Sequence, residues 1–140
     1  METNEEAAKN AIEALKMVGM DNFQDRPPHH LSFGQKRKVA IATVLASKPR
    51  LLVLDEPASN LDPASRKDLI EILKNLNISI ILVTHDLPMA LEICERSLIL
   101  NEGEIKEDSE TKTILKNEKI MKENRLELPY GFALHLLGDE

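Results

Sequence analysis

Leu51-Leu52-Val53-Leu54-Asp55-Glu56-Pro57 decides the fold. Its apolar residues begin just after Pro49-Arg50 and run straight into two adjacent carboxylates. That is the pattern of a short strand covered on both faces and ending at a polar edge. The same form recurs in Ile78-Ser79-Ile80-Ile81-Leu82-Val83-Thr84-His85-Asp86, which ends in a hydroxyl, an imidazole and a carboxylate. Between the two runs, Asp62-Pro63 supplies an N-cap followed by proline at the first helical position. Leu69, Ile72, Leu73 and Leu76 then make the apolar stripe of a helix. Buried strands separated by a helix predict an α/β chain, with helices packed against a parallel sheet.

The flanking segments extend the alternation. Ala8, Ala11, Ile12, Leu15 and Val18 place a helix over residues 5–18, and Gly19 stops it. Residues 20–31 read as a loop, since Pro27-Pro28 cannot continue a helix. A second helix is expected from about Gly34 to Ser47, apolar nearly all round and therefore deeply buried. After the second strand come a short helix through Cys94 and a third strand, Ser97 to Leu100. Asn101-Glu102-Gly103 turns that strand back toward Glu104 to Lys106.

Composition narrows the function. The 140 residues support one domain, with 24 acids against 18 bases and a net charge of -6. A net negative chain whose aromatics are Phe23, Phe33, Tyr130 and Phe132 is poorly equipped to grip nucleic acid. The single cysteine, Cys94, excludes an internal disulfide and reads as packing among Ala90, Leu91 and Ile93. No apolar run is long enough to span a bilayer, and the acidic N-terminus does not have the form of a secretory signal. Together these point to a soluble chain in a reducing compartment.

Ligands of open parallel sheets bind beyond the carboxyl ends of the strands. Asp55 and Glu56 sit at such an edge, where two like charges are costly unless a cation is near. One reading gives Asp55 to Mg²⁺ and leaves Glu56 to polarise a water; the other makes the pair a solvated strand end. Upstream, Leu31-Ser32-Phe33-Gly34-Gln35 has the form of a capping box, Ser32 with Gln35, and so marks a helix start. A helix start presents unpaired N–H groups to an anion. Gly34 would let a ligand come close, and Lys36, Arg37 and Lys38 add positive potential. An ordinary capped helix with a basic face is the alternative.

Taken in order, Leu31 to Gln35, Leu51 to Pro57, Ser59-Asn60-Leu61-Asp62 and Thr84-His85-Asp86 closely resemble the second half of an ATP-binding-cassette (ABC) transporter ATPase, over roughly residues 5 to 110. Arg26 through Ala42, which includes Pro27-Pro28-His29-His30, is similar to the cobalt and energy-coupling-factor subgroup of importers. The resemblance implies a partial P-loop ATPase core and assigns roles by position. Leu31, Ser32, Phe33, Gly34 and Gln35 match the signature loop, which contacts the γ-phosphate of ATP held by the opposite subunit. Asp55 matches the Walker B aspartate that holds Mg²⁺ through water, and Glu56 the catalytic glutamate that orients the attacking water. Ser59 to Asp62 match the loop linking the two ATP sites, and His85 the switch histidine that hydrogen-bonds the γ-phosphate. These are the positioning and charge-neutralising roles that phosphoryl transfer needs. Phe33 and Asn60 stand where the family usually has glycine, although the importer subgroup commonly has the aromatic.

One element of the family is missing from this sequence. Phosphates are cradled by G-x-x-x-x-G-K-S/T, yet among Gly19, Gly34, Gly103, Gly131 and Gly138 no two have that spacing and none precedes lysine. The family's adenine-stacking aromatic and Q-loop glutamine are absent as well. The expected organisation is a single partial domain. Residues 5–50 would be a helical-subdomain remnant, 51–109 the Walker B to switch-histidine core, and 110–140 a helical tail. In the family, the strand entering the phosphate loop lies between the counterparts of Ile78–Val83 and Ser97–Leu100. Without it, strand edges and apolar side chains should stand exposed on both.

The implied function is an importer's ATP-binding subunit on the inner face of the cell membrane, serving cobalt, another metal ion or a vitamin. ATP and Mg²⁺ are its cofactors. Its partners are an integral-membrane component and an intact ATPase subunit or N-terminal half carrying the Walker A loop; alone it should neither bind nor hydrolyse ATP. A non-catalytic module presenting its signature loop in trans, or a fragment of a non-transport ABC ATPase, are the alternatives. His29-His30 are expected to be loop residues rather than metal ligands. His135, on the apolar stretch Phe132 to Leu137, is expected to pack rather than catalyse, and the tail with Pro129-Tyr130-Gly131 has two readings, a cover for the core or a partner contact.

Overall fold

The computed structural model describes residues 3–132. The chain forms two compact units, Met1–Val83 and Thr84–Glu140.

In the first unit, helix α1 (Asn4–Met17) begins at a capping box in which Thr3 and Glu6 satisfy each other's backbone N–H groups. Two 3-10 turns, Asp21–Phe23 and Pro28–His30, fill the segment expected to be a loop. Helix α2 (Phe33–Leu45) follows the predicted Ser32 cap, and its buried residues are Gly34, Ile41, Ala42 and Leu45. It is not deeply buried all round: Ala40 and Thr43 are exposed and Val44 is 47% exposed, because only one stripe meets α1 and the next helix. Strand β1 (Leu51–Asp55), helix α3 (Pro63–Asn75) and strand β2 (Ser79–Val83) complete the unit. Leu69, Ile70 and Leu73 are the buried face of α3.

Strands β1 and β2 pair in parallel, in register from Leu51↔Ser79 to Asp55↔Val83. The strand period of two separates their faces. Leu52 and Leu54 are buried, while Leu51, Val53, Ile81 and Val83 are 47%, 60%, 50% and 51% exposed. The expectation that β1 is covered on both faces is therefore corrected. One layer packs against it, and among the described residues no second layer covers the other face. Full burial of such a side chain stabilises by about 1.5–3 kcal/mol, so the open face forgoes on the order of 1 kcal/mol per residue.

The second unit contains helix α4 (Leu87–Ile93), strand β3 (Arg96–Asn101), strand β4 (Glu104–Glu110) and helices α5 (Thr111–Lys116) and α6 (Glu118–Glu123). The third predicted strand does not extend the parallel sheet: β3 pairs antiparallel with β4 in a separate two-stranded sheet. The hairpin turns through Glu102 and Gly103 at φ 52° and 78°, the double positive φ of a two-residue turn that matches strand twist. Arg96 grips Asp108 across the strands with two hydrogen bonds of 2.7 Å. Leu98, Leu100 and Ile105 lie on the hairpin's exposed surface. Leu115 and Met121 form a small core under Leu87, Leu91, Leu126, Leu128 and Phe132. Phe132 packs against this core, whereas His135 and the rest of that stretch lie outside the described residues. Among the described residues no helix is long and apolar enough to cross a membrane.

The half-exposed sheet face should bind a hydrophobic dye and promote self-association of the isolated chain. Replacing Val53 and Ile81 together by threonine, which keeps β-branching, should lower both signals in fluorescence titration and light scattering. A monodisperse wild-type chain that leaves the dye dark would contradict this.

Candidate functional site

Strand β1 delivers Asp55, exposed at its carboxyl end, and the chain turns sharply after it. Glu56 adopts φ 44°, a left-handed conformation that costs a non-glycine residue on the order of 1 kcal/mol. Its backbone N–H donates to the carbonyl of Val83 at 2.8 Å, so the ladder between β1 and β2 continues one step into the turn. Two further turns, Ser59 N–H to Glu56 C=O at 3.1 Å and Leu61 N–H to Ala58 C=O at 3.2 Å, fold the chain back toward α3. Pro57 is buried beneath this loop. Asn60 takes φ 61°, a left-handed conformation that asparagine tolerates better than most side-chain-bearing residues.

The loop ends at Asp62, whose carboxylate caps α3. Oδ1 accepts from the N–H groups of Ala64 and Ser65 at 3.1 and 3.0 Å, and Oδ2 from the Ser65 hydroxyl at 2.6 Å. The Ser65 hydroxyl above all, then the backbone N–H groups, hold the Asp62 carboxyl below its ordinary value of 3.8. At the start of α2, the Ser32 hydroxyl accepts from Gln35 N–H at 3.2 Å, and Gln35 Oε1 accepts from Ser32 N–H at 2.9 Å. Leu31 is buried, whereas Phe33 stands 53% exposed with the Arg37 guanidinium 5.5 Å from its ring centroid.

Two readings of this segment change. The Cβ direction of Gly34 is occupied by Ser65 of α3, whose Oγ would lie 2.6 Å from an added Cβ. Glycine here admits a helix rather than a ligand on that side. Of the three basic residues, Lys38 pairs with Asp68 of α3 at 2.9 Å and Arg37 lies over Phe33. Protein contacts therefore engage two of the three charges, in keeping with the reading of an ordinary capped helix with a basic face. Ser65 itself escaped the sequence reading, where the only hint was a small polar residue three positions after an aspartate cap.

In the second unit, His85 is exposed in the turn before α4, and its carbonyl accepts from Leu87 N–H at 3.0 Å. Asp86 caps α4 by accepting from Met89 N–H at 2.9 Å. Cys94 is half-buried, and burial pushes its thiol above the ordinary value, consistent with a packing role. His29 and His30 touch edge-to-face in an exposed turn, and no cluster of metal-ligating side chains occurs among the described residues.

The family described as "AAA domain, putative AbiEii toxin, Type IV TA system" matches residues 4–92. A relative from Streptomyces coelicolor, named "Putative ABC transporter ATP-binding protein", is 60% identical over 119 residues, covering 85% of this chain and 46% of that protein. The chain belongs to the ABC ATPase family. An energy-coupling factor transporter ATP-binding protein of Mycoplasmopsis pulmonis is 44% identical over 131 residues, covering 91% of this chain and 43% of its own length. The solved structure of cbiO1 from Clostridium perfringens, part of the ABC transporter complex cbiONQ, matches with a TM-score of 0.75 at 34% identity, over 95% of this chain and 55% of that one. The chain spans about half the length of the ABC ATPase relatives it matches.

The caps of this ABC ATPase chain make two predictions. Ser32→Ala should cost about 0.5–2 kcal/mol in urea denaturation, the usual loss for an N-cap hydroxyl. Because folding lowers the pKa of Asp62, its charge stabilises the fold above the ordinary aspartate range, and that contribution fades as pH falls through the folded value. The stability gap between wild type and Asp62→Asn should be flat above roughly pH 5 and close in more acid solution. A gap that widens on acidification would reverse the sign.

Proposed function

We propose that the chain is the signature-and-Walker-B portion of an importer's ATP-binding subunit, of the cobalt or energy-coupling-factor kind. It works with a polypeptide that supplies the phosphate-binding loop and with an integral-membrane component. In this reading, Glu56 orients and polarises the attacking water and accepts its proton. Leu31, Ser32, Phe33, Gly34 and Gln35, together with Asp62, face a nucleotide held by the opposite subunit, and His85 hydrogen-bonds the γ-phosphate. The observation that carries the proposal is the strained Glu56. Its φ of 44° and its N–H bond to Val83 hold a carboxylate beyond the ends of paired parallel strands, where α/β ligands bind.

Mg²⁺ fits the exposed Asp55, because this ion is usually held by one or two carboxylates with waters and phosphates rather than by a protein cage. When bound, it would neutralise phosphate charge. Residues 5–50 are proposed as the helical-subdomain remnant, 51–109 as the core and 110–140 as the tail. The site of action is the cytoplasmic face of the membrane.

The sequence contains no G-x-x-x-x-G-K-S/T, so equilibrium dialysis of the isolated chain should detect no ATP binding, even at high nucleotide concentration. Mixed with a polypeptide carrying the Walker A half, the chain should support ATP hydrolysis. Glu56→Gln should then lower kcat by about 10²–10⁴. The same missing motif favours a second reading, in which the chain only presents Leu31–Gln35 to an intact ATPase. In that case Ser32→Ala reduces the partner's turnover while Glu56→Gln leaves it unchanged.

A further inference from the structure

The first turn of α3 lies against the first turn of α2, and one serine both bonds the α3 cap and stands against Gly34 of α2. A Cβ on Gly34 would stand 2.6 Å from Ser65 Oγ and 3.0 Å from Ser65 Cβ. The approach therefore exists only because residue 34 has no side chain. From the other side, the Ser65 hydroxyl donates to Asp62 Oδ2 at 2.6 Å, and its N–H donates to Oδ1 at 3.0 Å. Leu61 Cδ2, 4.0 Å from the same Cβ position, closes the contact with an apolar group.

We propose that Ser65 is a positioning residue: set against Gly34 and tied to Asp62, its side chain fixes the segment Leu31–Gln35 relative to the loop Glu56–Asp62, so that the two move as one body. The consequence for turnover rests on the proposed function, while the contact itself does not. Serine suits the position because its Cβ is small enough for the gap and its hydroxyl reaches the carboxylate. A larger residue at either position forces the helices apart, since packed interiors have little slack. Removing the hydroxyl loosens the Asp62 side of the contact and leaves the gap intact.

The test is a double-mutant cycle in the full chain. Gly34→Ala should lower the melting temperature by roughly 5–10 °C through overpacking and speed amide exchange at Gln35. Ser65→Gly alone should be slightly destabilising, because glycine is a poor helix former. The double variant should nevertheless melt above Gly34→Ala and recover slow exchange at Gln35. A double variant no better than Gly34→Ala, or a Gly34→Ala chain that melts like wild type, would overturn the proposal. Should Gly34→Ala fail to fold, Ser65→Ala decides. It leaves the gap open and is expected to speed exchange at Gln35 on the neighbouring helix as well as at its own amide, and unchanged exchange at Gln35 would overturn the coupling. In the assembly with a Walker A-bearing polypeptide, Ser65→Ala should lower kcat several-fold with KM for ATP little changed. If the wild-type assembly does not hydrolyse ATP, the functional reading fails and the exchange measurements still judge the contact.

Discussion

The parallel pairing of β1 with β2 is the constraint on which the rest depends. Its register runs from Leu51↔Ser79 to Asp55↔Val83, and the Glu56 N–H prolongs it by bonding to the Val83 carbonyl. A slip of one residue would bring Leu52 and Leu54 out of the core, because successive strand residues point to opposite faces. Burial of those leucines thus also sets where Asp55 leaves the sheet. The left-handed turn at Glu56 persists because this ladder holds it from before and buried Pro57 from after. Strain of this kind is maintained only by surroundings that over-determine it.

The two capped helices form the other half of the site's support. Ser32 and Gln35 close one helix start, and Asp62 with Ser65 closes the other. Their first turns meet at Gly34 with no room for a side chain. The residues that match the family's signature and inter-site loops therefore belong to one packed arrangement as well as to one sequence pattern. The charges near them are similarly engaged. Lys38 spans to Asp68 and Arg37 covers Phe33, so the basic run after the cap contributes to helix packing before any ligand is considered.

The open face of the sheet gives the comparison with relatives a physical counterpart. Parallel sheets are ordinarily covered on both sides, with near-continuous apolar strands. Here Leu51, Val53, Ile81 and Val83 have the composition of doubly buried strands and the exposure of a single layer. On the hairpin, Leu98 and Leu100 repeat the mismatch between apolar character and exposure. A chain spanning about half the length of its relatives carries residues suited to a larger core than its described residues build.

Much of this was legible in the residues themselves. The Ser32–Gln35 box, the Asp62-Pro63 start, the apolar stripe of α3 and the turn at Glu102-Gly103 are local, since caps and turns are decided by groups a few residues apart. The order of the candidate site residues carried the family resemblance. Strand period and composition could not say how many layers would cover β1, because that depends on neighbours distant along the chain. Nor could they show that Gly34 faces Ser65, or that a left-handed Glu56 is tied to Val83. The sequence by itself determined the α/β alternation, the helix caps and the carboxylates at the strand end, since each is encoded within a few residues. Only the tertiary structure decided which faces are covered and which residues hold the loops in place, since those outcomes belong to contacts between segments far apart in the chain.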